Sequence, residues 1–437
     1  MYDGGIMTYE EVVNRLTNTD FFSASAGLYR MRSMLRHFDN PQDAVPCVHV
    51  AGTNGKGSVC AMIDSVMRRA GYRTGLFTSP FLYDIRERIR IDGELISEED
   101  MARIGTIVFE YVDRLYTPVN QFELLTVIAF LYFREQNCDI AVLETGLGGT
   151  LDPTNTVSAP ICSVITNIGL DHCAVLGDTV AKIASAKAGI IKQGRDVCVY
   201  PVSADAENVI VQAALRASAP IHFADRDELK ELPPVAGYEH FSYRGQELFL
   251  ALRGKHQQYN AATAWEALAV INQNGFYVSD SDIADGMRTV EWPGRLELLC
   301  KTPVVFYDGG HNPQCVQAIA DWFGSERFAD RRITVFAGMV NNKDYRTMLK
   351  TLSSFADTLC FYRFEHNRAI PEEETEKLCE EFGMTRIADL SEACDAYFTK
   401  AGRKDVLLIT GSLYLAAEAK QAVEYAISKR RERKNEQ

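Results

Sequence analysis

The chain has 437 residues, more than the roughly 250–300 at which a single core stops growing, so two domains are expected. The composition is that of an ordinary globular protein, 46% hydrophobic and 24% charged. Its net charge of −13 argues against a general nucleic-acid or membrane binder, which needs a basic face. A small anionic ligand stays open, because a local cluster of Lys and Arg holds one even on an acidic protein.

The eleven cysteines are scattered, with no C-x-x-C pair, and read as reduced thiols of a cytoplasmic protein. Cys47, Cys162 and Cys198 sit in apolar runs as small core residues. The longest apolar run, Leu124 to Phe133, is about half of the ~20 residues needed to span a bilayer, so no membrane partner is expected.

Short apolar runs alternate with amphipathic helical stretches along most of the chain. In order, strands are expected at Cys47–Ala51, Thr74–Thr78, Ile140–Glu144, Ile161–Thr166 and Val197–Tyr200. A small β excursion follows, with strands over His240-Phe241-Ser242-Tyr243 and Leu248–Leu252. The segment Glu291-Trp292-Pro293-Gly294 breaks the rhythm and marks the expected boundary, giving domains over 1–294 and 295–437. Beyond it, Val304–Tyr307, Ile333–Ala337, Thr358–Tyr362 and Val406–Thr410 read as further strands. Near-continuous apolar runs are what strands buried on both faces require, and their alternation with helices predicts an α/β fold with mostly parallel sheets.

The run Gly52-Thr53-Asn54-Gly55-Lys56-Gly57-Ser58 stands between the first strand and a helix whose apolar residues Val59, Met62, Ile63, Val66, Met67 and Ala70 form one stripe. Backbone N–H groups at such a helix start, with the helix dipole, favour a polyphosphate. Lys56 adds a point charge for the outer phosphates, and Ser58 can approach a metal. The run departs from the G-x-x-x-x-G-K-[ST] pattern, with Val50 in place of the first Gly and Gly57 between the Lys and Ser58.

Ligands of parallel sheets gather at the carboxyl ends of strands. Ser79 follows the second strand, Glu144 ends the third, and Asp171-His172 follow the fourth. Glu144 suits Mg²⁺ beside a nucleotide, because a carboxylate buried at a strand end without a partner is costly. A lone His such as His172 is more often structural. Lys187 interrupts a small apolar stretch and is either a buried amine that needs a partner or a solvated helix-surface residue.

Taken together, these residues resemble the folylpolyglutamate synthase and dihydrofolate synthase branch of the Mur-ligase superfamily. The resemblance covers nearly the whole chain: Leu28-Tyr29-Arg30-Met31, the glycine loop, Phe77-Thr78-Ser79-Pro80, Phe122-Glu123, Glu144 to Gly149, Leu151-Asp152, Gly169-Leu170-Asp171-His172, Lys187-Ala188-Gly189, Trp292-Pro293-Gly294-Arg295, Asp308 to Pro313 and Gly411-Ser412. It implies an N-terminal P-loop ATPase domain with a mostly parallel sheet, and a C-terminal Rossmann-like α/β domain that closes over the nucleotide.

The resemblance also implies roles. ATP would meet Thr53, Asn54, Gly55, Lys56, Gly57, Ser58, Asn260, Arg295 and Asp308. Ser79, Glu144 and His172 would hold one Mg²⁺, and Lys187, carried as a carbamate, a second. Lys56, Lys187 and His172 would serve the chemistry. Gln121, Phe122, Glu123 and Asp152 would meet the pterin end of a folate, and His311 and Ser412 the incoming L-glutamate. The implied activity is ATP-dependent addition of glutamate to a folate, with dihydropteroate as a further acceptor, by a monomer. Thr150, Cys173, Ala186 and Gly310 stand where the family usually has Arg, Thr, Glu and Ala. Thr150 removes a permanent cation and leaves a paralogue acting on another acid–amine pair open, as well as a nucleotide-binding regulator without ligase activity.

Overall fold

The computed structural model describes residues 5–20, 28–115 and 118–435. They form two compact units. The first comprises Met1–Ala251 with Gln257–Glu291, and the second Leu252–His256 with Trp292–Gln437.

The first unit is built on an eight-stranded sheet of β1 (Cys47–Ala51), β2 (Thr74–Phe77), β3 (Ile89–Ile91), β4 (Glu94–Leu95), β5 (Ile140–Glu144), β6 (Cys162–Ile165), β7 (Asp196–Val199) and β8 (Ile221–Phe223), in the order β4-β3-β2-β5-β1-β6-β7-β8. The six strands from β2 to β8 in that order are parallel, and β3 and β4 extend one edge antiparallel. The Val- and Ile-rich β1, β5 and β6 are buried at every residue, as expected of strands covered on both faces. β8 and the β3–β4 edge are too short or too polar to stand out as apolar runs.

The helix Gln121–Glu135 starts at a capping box between Asn120 and Glu123 and is buried continuously from Gln121 to Phe133. The long apolar run of the sequence is thus a core helix. Among the described residues no helix is long and apolar enough to cross a membrane. The β excursion is a separate three-stranded antiparallel sheet, β9 (Leu229–Glu231), β10 (Glu239–Tyr243) and β11 (Gln246–Leu250).

The helix after the glycine loop, Lys56–Arg69, differs from the single stripe that its sequence predicts: every residue from Ser58 to Met67 is buried. One face lies on the sheet and the other carries the helix Asp280–Thr289. Contact there is close enough that a Cβ at Gly286 would stand 2.5 Å from Val66 Cγ2 and 2.7 Å from its Cα, while Ser65 Oγ donates to the Gly286 carbonyl at 2.9 Å. Polar Ser65 and Asp64 are buried because each has a partner, Asp64 accepting from Arg68 Nε at 2.9 Å.

The second unit holds a six-stranded sheet of β12 (Glu297–Lys301), β13 (Val304–Asp308), β14 (Arg332–Ala337), β15 (Thr358–Tyr362), β16 (Thr385–Ile387) and β17 (Asp405–Thr410), ordered β12-β13-β17-β14-β15-β16. All but β12 run parallel. Phe306, Trp322 and Phe323 form an aromatic cluster in its core, the first two edge-to-face at 5.1 Å.

Substituting Gly286→Ala forces a Cβ into Val66 and is expected to destabilise the first unit by about 1–3 kcal/mol. Thermal unfolding followed by circular dichroism checks this; a melting temperature equal to that of the unsubstituted protein contradicts the packing described.

Candidate active site

Register decides what meets what. β1 pairs Val50 with Glu144 of β5 and Ala51 with Ile165 of β6, and β2 pairs Phe77 with Leu143. The carboxyl ends of β2, β5, β1 and β6 therefore lie side by side, and β1 is the point where the chain order departs in opposite directions, the usual location of a ligand crevice.

Between β1 and the helix Lys56–Arg69 the glycine loop is latched to the loop after β6. Thr53 N donates to Asn167 O at 2.7 Å, Thr53 Oγ1 lies 3.1 Å from both the carbonyl and the amide of Gly169, and Thr166 Oγ1 donates to Asn54 O at 2.8 Å. A side chain at Gly52 would overlap Thr166 Oγ1, and Gly55 has φ +87° with its missing Cβ 2.5 Å from Asn260 Oδ1. Only glycine satisfies both positions. The helix has no side-chain cap, so its first N–H groups are left for a ligand. Ser58 Oγ accepts from Gln257 Nε2 at 3.2 Å, and Gln257 Oε1 accepts from Asn260 Nδ2 at 2.9 Å. Lys56 Nζ is 3.8 Å from Glu144 Oε1 and donates to Thr53 O at 3.3 Å.

Glu144 is buried, and its Oε2 accepts from Ser79 N at 3.1 Å, so Ser79 and Glu144 are brought together. His172 stands apart in conformation. It caps the short helix Cys173–Leu176 with φ 51°, a left-handed backbone that strains a non-glycine residue, and its ring is half exposed with Nε2 4.0 Å from Asp171 Oδ1. Two buried polar atoms at these strand ends, Thr145 Oγ1 and Asn167 Oδ1, have no hydrogen-bond partner among the described residues. Among the described residues no three His, Cys, Asp or Glu side chains cluster as a self-contained metal cage. A buried carboxylate, a serine and unpartnered oxygens suit Mg²⁺, which takes few protein ligands and keeps waters and phosphate oxygens.

Lys187 is buried at 4% exposure and its Nζ donates to Gly52 O at 2.6 Å, which settles its environment as interior, not solvated. Burial, followed by the neighbouring Lys56 charge, lowers its pKa to about 7.

The residues expected on the acceptor side are all buried and closely partnered. Gln121 Nε2 donates to Leu16 O at 2.8 Å. Glu123 forms a bidentate pair with Arg30, the Nη2–Oε2 distance being 2.8 Å, and also closes the cap by accepting from Asn120 N at 2.9 Å. Phe122 packs on Phe77 with ring centres 5.5 Å apart. Asp152 accepts from Leu147 N at 2.8 Å and Thr154 Oγ1 at 2.5 Å, and burial raises its pKa. Thr154 Oγ1 in turn lies 2.8 Å from Nε2 of His49, whose pKa burial lowers to about 3, so the ring is neutral. Thr150, whose side chain is exposed, sends both N and Oγ1 to Ala186 O, at 2.8 and 3.0 Å.

In the second unit, β13 and β17 pair Asp308 with Thr410, placing Asp308, Gly309, Gly310 and His311 beside Gly411 and Ser412. Asp308 is buried and accepts from Leu296 N at 2.8 Å and Gly310 N at 2.7 Å; burial raises its pKa against the opposing charge of Arg295. Arg295 Nη1 donates to Gly294 O at 2.9 Å, His311 Nδ1 lies 3.0 Å from Gly309 O, and Ser412 Oγ accepts from Tyr414 N at 3.2 Å.

Comparison with known proteins agrees with this layout. Residues 50–268 match the family described as Mur ligase middle domain, and 294–413 the Mur ligase glutamate ligase domain. A dihydrofolate synthase/folylpolyglutamate synthase of Bacillus subtilis is 36% identical over 414 residues, 92% of this chain and 95% of that protein. The folylpolyglutamate synthase of Lacticaseibacillus casei is 33% identical, covering 95% of this chain and 99% of its own. The chain belongs to the folylpolyglutamate synthase and dihydrofolate synthase branch of the Mur ligases. A solved FPGS–AMPPCP–folate complex superposes on this Mur ligase with a TM-score of 0.83 at 30% identity, over 95% of this chain and all of that one.

Several side chains that build the ligase site are assigned no role from the sequence alone. Thr166 and Asn167 latch the glycine loop, Arg30 neutralises Glu123, and Gln257 reaches Ser58. Gln257 leaves a signal in its three-residue spacing from Asn260 on one helix face, and Arg30 stands within the Leu28-Tyr29-Arg30-Met31 run of the resemblance; their pairings, and those of Thr166 and Asn167, are made across the fold.

Gly52→Ala is expected to push the loop off Thr166 and to weaken ATP binding at least about tenfold, in keeping with a 1–3 kcal/mol overpacking cost. Calorimetric titration with a non-hydrolysable ATP analogue measures it, and unchanged affinity contradicts the latch.

Proposed function

We propose that this protein is an ATP- and Mg²⁺-dependent C–N ligase that adds L-glutamate to a folate, with dihydropteroate as a second acceptor. The observation that carries the reading is the buried Lys187 amine on the carbonyl of Gly52, at the head of a phosphate loop of the Mur-ligase type.

The folate carboxylate attacks the γ-phosphorus of ATP, the bond to the β–γ bridging oxygen breaks, and ADP leaves an acyl phosphate. The glutamate amine then attacks the acyl carbon, phosphate departs, and the amine proton passes to solvent or a base. Thr53, Asn54, Gly55, Lys56, Gly57 and Ser58 of the loop are proposed to bind and orient the polyphosphate; Asn260 in the first unit, and Arg295 and Asp308 in the second, are proposed to contact the nucleotide. Bound Mg²⁺ supplies neutralisation of charge on the phosphate oxygens, with Ser79, Glu144 and His172 proposed to hold it. Lys187 suits a carbamate. A lowered pKa leaves far more of its amine uncharged at neutral pH than an ordinary lysine has, and only the uncharged amine adds to CO₂. Addition to CO₂ releases one proton to solvent, and the carbamate would supply two oxygens to hold a second Mg²⁺. Gln121, Phe122, Glu123 and Asp152 are proposed for the pterin end, and His311 and Ser412 for glutamate. All eleven cysteines are unpaired thiols, which supports a cytoplasmic protein, and a monomer is proposed with it.

Purified protein with ATP, Mg²⁺, glutamate and tetrahydrofolate is expected to release phosphate only when all four are present. Absence of glutamate-dependent phosphate with either pterin acceptor overturns the reading. Thr150 favours a second reading, a paralogue using another acid–amine pair, since a neutral side chain stands where the branch usually carries Arg; a panel of carboxylate acceptors distinguishes the two.

Lys187→Ala is expected to lose most activity, at least about 100-fold, and to regain part of it with added short carboxylates that replace the carbamate oxygens. Wild-type turnover in the variant removes Lys187 from the chemistry.

A further inference from the structure

The turn over residues 146–155 is hydrogen-bonded to the helix end that carries Lys187 and to His49 of the strand that leads into Gly52, and we propose that His49, Thr154, Asp152 and Thr150 form a positioning brace that holds the Lys187 amine on the phosphate loop. That this amine serves the reaction rests on the function proposed above; the brace itself does not.

Proton counting fixes the direction of the chain of bonds. Asp152 Oδ1 lies 2.5 Å from Thr154 Oγ1 and, as a carboxylate oxygen, accepts its single hydroxyl proton. The same hydroxyl therefore accepts from His49 Nε2, 2.8 Å away, which places the imidazole proton on Nε2. The other ring nitrogen, Nδ1, is buried with no hydrogen-bond partner among the described residues, as expected of an unprotonated nitrogen left over from that choice. Asp152 also accepts from Thr154 N at 3.1 Å and Leu147 N at 2.8 Å, which fixes the turn.

The far side of the turn grips the helix that bears Lys187. Thr150 N and Oγ1 donate to Ala186 O, and Asn155 Nδ2 donates to Thr150 O at 3.1 Å and to Gly189 O at 3.0 Å. These bonds satisfy carbonyls that the end of the helix Val180–Ala188 would leave open, and so set the rotation of its last turn. Lys187, the next residue after Ala186, then reaches Gly52 O. Gly52 is three residues beyond His49 on the same chain, so the set closes on itself. His49 and Thr154 are 0% exposed and Asp152 3%. A long lysine side chain loses much rotamer freedom when held in one place; backbone fixed at both ends is what makes a single arrangement persist.

Thr154→Val keeps the side-chain volume and removes the hydroxyl, leaving His49 Nε2 buried without its partner and Asp152 Oδ1 with only the Thr154 N bond; Thr154→Ser keeps the hydroxyl. The full-length protein is assayed for turnover with ATP, Mg²⁺, glutamate and tetrahydrofolate, and separately treated with acetic anhydride, with acetylation of Lys187 and of exposed Lys182 followed by peptide mass. For Thr154→Val, kcat is expected to fall about tenfold while KM for ATP changes less than about twofold, and Lys187 acetylation relative to Lys182 to rise about fivefold. Thr154→Ser is expected to restore both. Wild-type kcat and labelling in Thr154→Val, or equal loss in Thr154→Ser, overturns the brace. Should Thr154→Val not fold, Thr150→Val, on the exposed side of the turn, is judged by the same labelling ratio: a rise supports the brace and an unchanged ratio overturns it. A wild-type protein without glutamate-dependent turnover refutes the function instead, and the labelling then decides the brace alone.

Discussion

A lysine amine buried against the carbonyl that ends the phosphate strand is the constraint on which the rest of the site depends. A charged amine inside a protein is costly unless paired, and Lys187 has a carbonyl and a nearby lysine in place of an anion in contact with it. The chain answers by shifting the amine toward its neutral form and by fixing the backbone on both sides of the contact. Gly52 is held by Thr166 against a neighbouring strand, and the helix end at Ala186 is held by Thr150. A buried amine hydrogen-bonded beside the phosphate loop, with its pKa lowered to about 7, suits the carbamate proposed for it.

The parallel sheet supplies the scaffold for this. Because β2, β5, β1 and β6 are adjacent and parallel, residues far apart in sequence emerge at one edge: Ser79, Glu144, the glycine loop and Asn167. The second unit repeats the device with β13, β17 and β14, whose ends carry Asp308, Gly411 and Ala337. In the first unit the polar groups sit at the strand ends, and β2, β5, β1 and β6 are buried at every residue. His49, buried in β1, is partnered through Nε2 and serves the loop above.

Much of this architecture is legible in the amino-acid sequence. The long apolar runs are strands within a residue or so of their expected limits, because hydrophobic continuity and strand burial are the same physical fact. The glycine loop, Glu144 and Ser79 are readable because their neighbours in sequence are also their structural context. The short edge strands β3, β4 and β16 are not, since they are stabilised by a partner and not by their own composition. The helix after the loop reads as one-sided because its small polar residues Ser65 and Asp64 look solvent-facing; Gly286, more than two hundred residues later, accepts from buried Ser65, and Asp64 pairs with Arg68.

The sequence by itself determined the class of fold, the phosphate loop and the family, since each is written in short runs of neighbouring residues. Tertiary structure alone decided where Lys187 points, that Glu123 is neutralised by Arg30, that Asp152 holds a turn, and that Thr150 caps a helix end. The reason is distance along the chain. A hydrogen bond between residues 36 or 135 positions apart leaves no periodicity or spacing for a sequence to display, and its geometry exists only once the strands have been set in register.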